Sequence, residues 1–183
     1  MAGRGAVFLD RDNTLVRDPG YLADAAAVVL LPGVAEGLGA LSAAGWPLVV
    51  ISNQSGIARG LYSADAFHAV MLRIRELLAP AGVTLLADYF CPHHPDFTGP
   101  CDCRKPGLLL FRQAAAEHGL DLAASWFLGD CWHDVAPALA VGGRGVLLAR
   151  DAAGEDVQQA TRQAVPVFPD LPAAARYIVA AGA

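Results

Sequence analysis

The chain alternates short, continuous apolar runs with segments in which apolar residues recur every three or four positions. That is the pattern of buried parallel strands separated by amphipathic helices. The runs 6–9, 48–51, 83–90, 126–128, 145–149 and 165–168 predict six strands, the last a short edge strand. A helix opened by Leu30-Leu-Pro-Gly33 carries Val34, Leu38 and Leu41 on one face and ends at Gly45. A longer one, capped by Ser63, turns Phe67, Val70, Met71, Ile74, Leu77 and Leu78 inward. Helices follow over 107–118, closed by Gly119, from near His133 to Val141, and over 171–181. Residues 91–106 read as loop, and 152–164 as a polar, exposed helix or loop. Asp88 weakens the strand pattern near the end of the third run. No repeat or long linker interrupts the βαβ alternation, which predicts an α/β fold: one doubly wound, Rossmann-like parallel sheet with helices on both faces.

In such a sheet, chemistry gathers beyond the carboxyl ends of the strands. The first run delivers Asp10 and Asp12 there, two carboxylates that repel each other and want a cation. Asp10-Arg-Asp-Asn13 taken alone would equally suit a solvated turn. Three more polar clusters, however, follow later apolar runs: Ser52-Asn-Gln-Ser55, Arg104-Lys-Pro106 and Gly129-Asp130. The topology would bring all four to one edge.

Composition narrows the partners. At 183 residues and 55% hydrophobic, the chain has core enough for one globular domain and little room for a second. A net charge of -5 and a pI near 5.4 disfavour nucleic acid and anionic membranes, so a bound phosphate must meet a local positive site. No apolar stretch reaches the ~18 residues of a membrane span. The N-terminus runs directly into the first strand with no room for a signal peptide, so a cytoplasmic location is expected.

Cys91-Pro-His-His-Pro95 and Cys101-Asp-Cys103 supply three thiols and two imidazoles within thirteen residues. C-x-H followed by C-x-C suits tetrahedral zinc, with Cys91, His93, Cys101 and Cys103 as ligands and His94 competing for the nitrogen position. A disulfide would leave one of the three cysteines unpaired. A closed four-ligand zinc has no open position, so its work is to stiffen the loop. Cys131 is distant and needs no metal.

These residues carry a family resemblance. Asp10-Arg-Asp-Asn-Thr14 is similar to the D-x-D-x-T signature of the haloacid dehalogenase superfamily, and Ser52, Lys105 and Gly129-Asp130 fall in the order and spacing of its other motifs. Together with Ser52 to Gly60, Cys91 to Pro95 and Cys101-Asp-Cys-Arg-Lys-Pro106, the chain resembles the D-glycero-D-manno-heptose-1,7-bisphosphate 7-phosphatases over nearly its whole length. The resemblance implies a single domain over 1–183 with a zinc loop at 91–103. It also implies a Mg2+-dependent phosphomonoesterase that removes the 7-phosphate of the heptose bisphosphate through an aspartyl phosphate; histidinol phosphate is the alternative substrate. Asp10 would be the nucleophile and Asp12 the acid and base, with Mg2+ on Asp10, the carbonyl of Asp12, and Asp130. Ser52 and Lys105 would hold the phosphoryl oxygens and Arg104 would reach to the substrate. Asp18-Pro19-Gly20-Tyr21 and Ser52, Asn53, Gln54 and Ser55 would line the pocket, with Arg59 a further cation for a second phosphate. A monomer acting on a small phosphorylated substrate, with no nucleic acid or membrane partner, is expected.

The chain also departs from the family pattern. Asn13 replaces a usual Gly, tolerable in an ordinary or left-handed conformation. Cys131 replaces a Lys found in many relatives, and the loop between His93 and Cys101 is short, near the length seen in histidinol-phosphate phosphatases. No large insertion follows Thr14, which implies no cap domain.

Overall fold

The computed structural model describes residues 3–149, 151 and 153–182. Its strands are β1 (Val7–Leu9), β2 (Leu48–Asn53), β3 (Ala87–Cys91), β4 (Trp126–Gly129), β5 (Arg144–Leu148) and β6 (Val167–Phe168). They form one sheet in the order β3-β2-β1-β4-β5-β6, and every neighbouring pair is parallel. Leu9 lies in register with Val50 and with Leu128, so Asp10, Ser52 and Asp130 leave the sheet at one edge. The strand order reverses between β1 and β4, the switch point at which open α/β sheets bind ligands.

Eight helices surround the sheet among the described residues: α1 (Val34–Ala43), α2 (Ser55–Ala58), α3 (Ala64–Leu78), α4 (Pro95–Thr98), α5 (Leu109–His118), α6 (Trp132–Val141), α7 (Glu155–Arg162) and α8 (Leu171–Ala181). Successive strand residues face opposite sides, and both sides are buried. Val7, Leu9, Val50, Trp126 and Leu128 pack with Leu38, Phe67, Ile74 and Ile178 of α1, α3 and α8. Phe8, Val49, Ile51 and Phe127 pack with Phe111 and Ala138 of α5 and α6. The rings of Phe8, Phe111 and Phe127 lie 5.1 to 5.3 Å apart, in tilted and edge-on contacts. This double coverage is why the strands read as unbroken apolar runs.

The boundaries differ from the sequence expectation where apolar residues do not mark strands. β3 begins at Ala87, not Val83, because Val83 and Leu85 bury their side chains from an extended connector. Asp88 fits inside the strand because Arg75 of α3 pairs with it. β2 continues past Ile51 to Asn53, where Ser52 and Asn53 align with Phe90 and Cys91. The polar stretch that follows β2 and the segment 91–106, read as loop, each contain one helical turn, α2 and α4. The helix expected over 107–118 begins at Leu109, since a hydrogen bond from Gly107 N to Arg104 O closes a turn before it. That turn needs glycine: a Cβ on Gly107 would stand 2.3 Å from the carbonyl oxygen of Asp102. Of the polar segment 152–164, residues 155–162 are helical, while residue 152 lies outside the described residues, as do residues 1 and 2 of the N-terminal stretch. Between Thr14 and α1 the chain makes loops, a 3-10 turn at Ala25–Ala27 and an isolated β-bridge between Val16 and Leu30. Among the described residues no helix is long and apolar enough to cross a membrane.

Candidate active site

Lys105 stands at the centre of the site. Its Nζ lies 2.6 Å from Asp10 Oδ1 and 2.7 Å from Asp134 Oδ1, and donates to the carbonyl oxygen of Ile51 at 2.6 Å. Two hydrogen bonds, to Asp10 and to Ile51, and the ion pair with Asp134 hold the ammonium in place. Burial alone would depress the Lys105 pKa, but Asp10 and Asp134 more than reverse this and push it up, so the ammonium stays charged. Asp10 moves well above the usual carboxylate range; burial is the main cause, Asp134 and Asp12 add to it, and Lys105 opposes it. Asp130 is raised to about 6, by burial first and by Asp134 second. The oxygens of Asp10, Asp130 and Asp134 can all lie within 4.8 Å of one another. One ammonium against three carboxylates leaves an excess of negative charge on hard oxygen donors, which fits a divalent cation such as Mg2+.

Local structure fixes each acid. The Asp10 amide donates to the Leu128 carbonyl at 2.9 Å, tying the end of β1 to β4. Asp134 sits in the first turn of α6, where Oδ2 accepts from the Cys131 amide at 3.0 Å. Gly129 leaves space for it, since a Cβ there would stand 2.3 Å from that of Asp134. Asp12 turns toward Arg11, whose Nε and Nη2 donate to its two oxygens at 2.9 Å each. Gln54 donates to the same carboxylate at 2.8 Å. Arg11 is fully buried, its guanidinium 5.3 Å from the centre of the Phe67 ring. Asn13 adopts φ 56°, the left-handed region, and its Oδ1 accepts from the Asp18 amide at 3.2 Å. Asp18 Oδ1 in turn accepts from the amides of Gly20 and Leu22, both at 3.0 Å, and so shapes the loop containing Pro19, Gly20 and the exposed Tyr21.

Ser52 is fully buried at the end of β2, and its Oγ accepts from Gln54 Nε2 at 2.7 Å. Asn53 clamps the backbone of Lys105: its Oδ1 accepts from the Lys105 amide at 2.9 Å and its Nδ2 donates to the Lys105 carbonyl at 3.3 Å. Ser55 opens α2.

The Cys91, His93, Cys101 and Cys103 donors form a second cluster beside this one. The Sγ separations are 2.9 Å (Cys91 to Cys103), 3.5 Å (Cys101 to Cys103) and 3.6 Å (Cys91 to Cys101), and His93 Nδ1 lies 3.2 Å from Cys103 and 3.9 Å from Cys91. All are free thiols. A tetrahedron with Zn–S near 2.3 Å has edges of roughly 3.8 Å, so this donor set fits zinc after slight expansion. His94 is turned away: its Nδ1 accepts from the Asp96 amide and its Nε2 meets Arg59 at 3.2 Å. Burial pushes the Cys101 thiol up, but hydrogen bonds from Cys103, the Arg104 backbone, Cys91 and His93 outweigh it and bring it down to about 7. Arg104 Nη1 donates to the His93 carbonyl at 3.4 Å, so the cluster and the Arg104-Lys105 pair share one loop.

A family model described as HAD-hydrolase-like matches residues 102–174. The D-glycero-beta-D-manno-heptose-1,7-bisphosphate 7-phosphatase of Pseudomonas putida is 36% identical over 174 residues, 94% of this chain and 98% of that one. The corresponding Thermosynechococcus vestitus phosphatase is 40% identical over 187 residues, covering 96% of this chain and 95% of its own. This chain belongs to the D-glycero-D-manno-heptose-1,7-bisphosphate 7-phosphatase family of the haloacid dehalogenase superfamily. A crystal structure of the D,D-heptose 1,7-bisphosphate phosphatase from B. bronchiseptica, complexed with magnesium and phosphate, superposes with a TM-score of 0.82 at 28% identity, covering 97% of this chain and 98% of that one. A putative HAD-like phosphatase from Mesorhizobium loti matches with the same TM-score at 31% identity, over 100% of this chain and 87% of that one.

Against the family pattern, the structure gathers Asp10, Asp12, Ser52, Lys105 and Asp130 at one sheet edge, and Cys91, His93, Cys101 and Cys103 at a neighbouring point. Arg59 stacks its guanidinium over Phe97, 4.6 Å from the ring centre, and contacts His94, so it braces the cysteine loop. Asp134 carried no signal beyond its place in the first turn of a helix that starts just after Asp130. Arg11 and Tyr62 were also missed, because their roles depend on contacts across the fold. Cys131, His133 and Asp134 form another possible donor set, but they sit at the positive end of α6 beside Lys105, which opposes a cation. A cavity of about 330 Å³ on the other flank of Asp130 is lined by Asp151, Asp156 and Asp170 as well, a charge that repels phosphate.

Proposed function

We propose that this protein is a Mg2+-dependent phosphomonoesterase that removes the 7-phosphate of D-glycero-D-manno-heptose 1,7-bisphosphate. One observation carries the reading: a buried, charged Lys105 bridges Asp10, at the end of the central strand, to Asp134 beside Asp130. Asp10, the carbonyl of Asp12, and Asp130 would hold Mg2+, which when bound offsets the repulsion between the carboxylates and an incoming phosphate.

The chain's own groups account for the rest. An oxygen of Asp10 attacks phosphorus and forms a new P–O bond as the bond to the sugar oxygen breaks, and Asp12 gives that oxygen its proton. Asp12 then takes a proton from water as the water attacks the aspartyl phosphate, freeing inorganic phosphate and restoring Asp10. Lys105, the Ser52 hydroxyl and nearby backbone amides hold the phosphoryl oxygens, whose charge is spread in a loose transition state. Arg104 clamps the phosphate that stays. Pro19, Gly20, Tyr21 and Ser55 line the pocket, while Asp18 and Asn53 shape it through the hydrogen bonds already described. A structural zinc on Cys91, His93, Cys101 and Cys103 would fix the loop that presents Arg104 and Lys105. The enzyme is read as a single-domain, cytoplasmic monomer with a small phosphorylated sugar as partner.

Phosphate release from both anomers of the heptose bisphosphate, from histidinol phosphate and from p-nitrophenyl phosphate tests this. The bisphosphate is expected to be preferred and cleaved at one end only. Arg104→Ala should raise KM for the bisphosphate more than for p-nitrophenyl phosphate, by roughly 10-fold or more, as loss of a charged hydrogen bond predicts. A preference for histidinol phosphate, or equal losses on both substrates, would reject the substrate.

A further inference from the structure

Gln54 is buried, and its amide is fully engaged. Nε2 donates to Asp12 Oδ2 at 2.8 Å and to Ser52 Oγ at 2.7 Å, while Oε1 accepts from the Tyr62 hydroxyl at 2.6 Å. The Asp12 oxygen accepts and only the nitrogen end of the amide can donate, so the contact with Asp12 dictates which end of the amide faces it. Tyr62, donating to the other end, holds the same orientation. Ser52 Oγ accepts from Gln54 and therefore keeps its own proton free to donate elsewhere. With both N–H groups used inside the protein, Gln54 supports the reactive groups and does not reach the substrate as the family resemblance implied.

Tyr62 touches neither Asp12 nor Ser52 by any of these bonds. It lies between α2 and α3, and its ring occupies the space beside Gly56, where a Cβ would come within 2.1 Å of it. Burial, partly offset by Arg11, raises its pKa to about 12, so the phenol is a proton donor across the working pH range.

We propose that Tyr62 is a positioning residue which, through the Gln54 amide, fixes the carboxylate of Asp12 and the hydroxyl of Ser52 together. One phenol thereby sets the relative geometry of the group that serves the leaving oxygen and the group that holds the phosphoryl oxygens. Without it, the amide of Gln54 can turn its oxygen toward Asp12, where the two repel, and Ser52 loses its fixed donor. The inference rests on the phosphatase reading, in which Asp12 carries the proton and Ser52 binds the phosphoryl group.

The test is a double-mutant cycle on the Mg2+- and Zn2+-loaded full chain, with heptose bisphosphate and p-nitrophenyl phosphate as substrates. Tyr62→Phe keeps the ring and removes only the hydroxyl. It should lower kcat by roughly 3- to 10-fold, the worth of one buried neutral hydrogen bond, with KM changed by less than about twofold and the melting temperature lowered by no more than a few degrees. In a Gln54→Ala background, Tyr62→Phe should have no further effect on kcat, because its only route to the site is gone. Gln54→Leu, closer in volume, replaces Gln54→Ala in the cycle if that variant does not fold. Wild-type kcat in Tyr62→Phe, multiplicative losses in the double variant, or a loss of activity that merely tracks a lower melting temperature would each overturn the relay. Wild-type protein inactive on both substrates would instead reject the phosphatase reading itself.

Discussion

Asp10 is a carboxylate whose protein surroundings favour its protonated form, opposed chiefly by one lysine. Asp10→Asn keeps the shape, removes a negative charge from a crowded set, and leaves Lys105 its partner Asp134. Turnover should therefore vanish while metal-free stability stays level or rises, as activity assays and thermal denaturation would reveal; residual turnover above about a hundredth of wild type would exclude Asp10 as nucleophile. At this scale the sequence was informative where chemistry follows a strand end: Asp10, Asp12, Ser52 and Asp130 were legible because an apolar run stops beside each of them. Lys105 was legible through its motif and neighbours. Asp134, Arg11 and Tyr62 were not, since their significance lies in partners such as Lys105, Phe67 and Gln54 that only folding brings near. The contacts of Arg59 with Phe97 and His94 were likewise invisible in the sequence.

At the scale of elements, strands buried on both faces leave the plainest sequence trace, and all six were found. The errors were of extent. Val83 and Leu85 are apolar for the core's sake without pairing in the sheet, and the one-turn helices α2 and α4 are too short to show periodicity, being held by tertiary contacts and not by propensity. The cysteine loop is one such tertiary arrangement. It is fastened to the end of β2 and to α2 by hydrogen bonds from the Gln54 backbone N–H to the Cys91 carbonyl, 2.8 Å, and from the Ala58 backbone N–H to the Pro92 carbonyl, 3.1 Å, besides the Arg59 stack. About one zinc per chain is expected by elemental analysis, and Cys101→Ser should release it. Because closed zinc sites contribute folding energy, the same variant should melt lower, and through Arg104 and Lys105 it should lose activity as well. Full activity in protein free of zinc would remove the loop's structural role.

For the molecule as a whole, the carboxylate cluster ties stability to pH and metal. Asp130 has a folded pKa of about 6 against an ordinary value of 3.8, and Asp10 shifts in the same direction. The folded state therefore holds these protons more tightly than the unfolded state. Their stabilising contribution is full below the ordinary value and is lost as pH rises through about 6. Metal-free protein is thus expected to show a component of its melting temperature that falls by a few degrees between about pH 5 and pH 7.5, and saturating Mg2+ should abolish it. Asp130→Asn should flatten the same component; a metal-free profile identical to wild type would contradict the assignment. The sheet order carries a further consequence, for synthesis. β1 emerges from the ribosome first, yet it occupies the middle of the sheet, and its partner β4 is translated only after β2 and β3. Until Trp126 to Gly129 arrive, the apolar strand Val7–Leu9 waits with one side unpaired, an edge that invites pairing with other chains. Nascent chains stalled before Trp126 should accordingly partition into aggregates or onto chaperones, whereas chains extended through β6 should remain in solution.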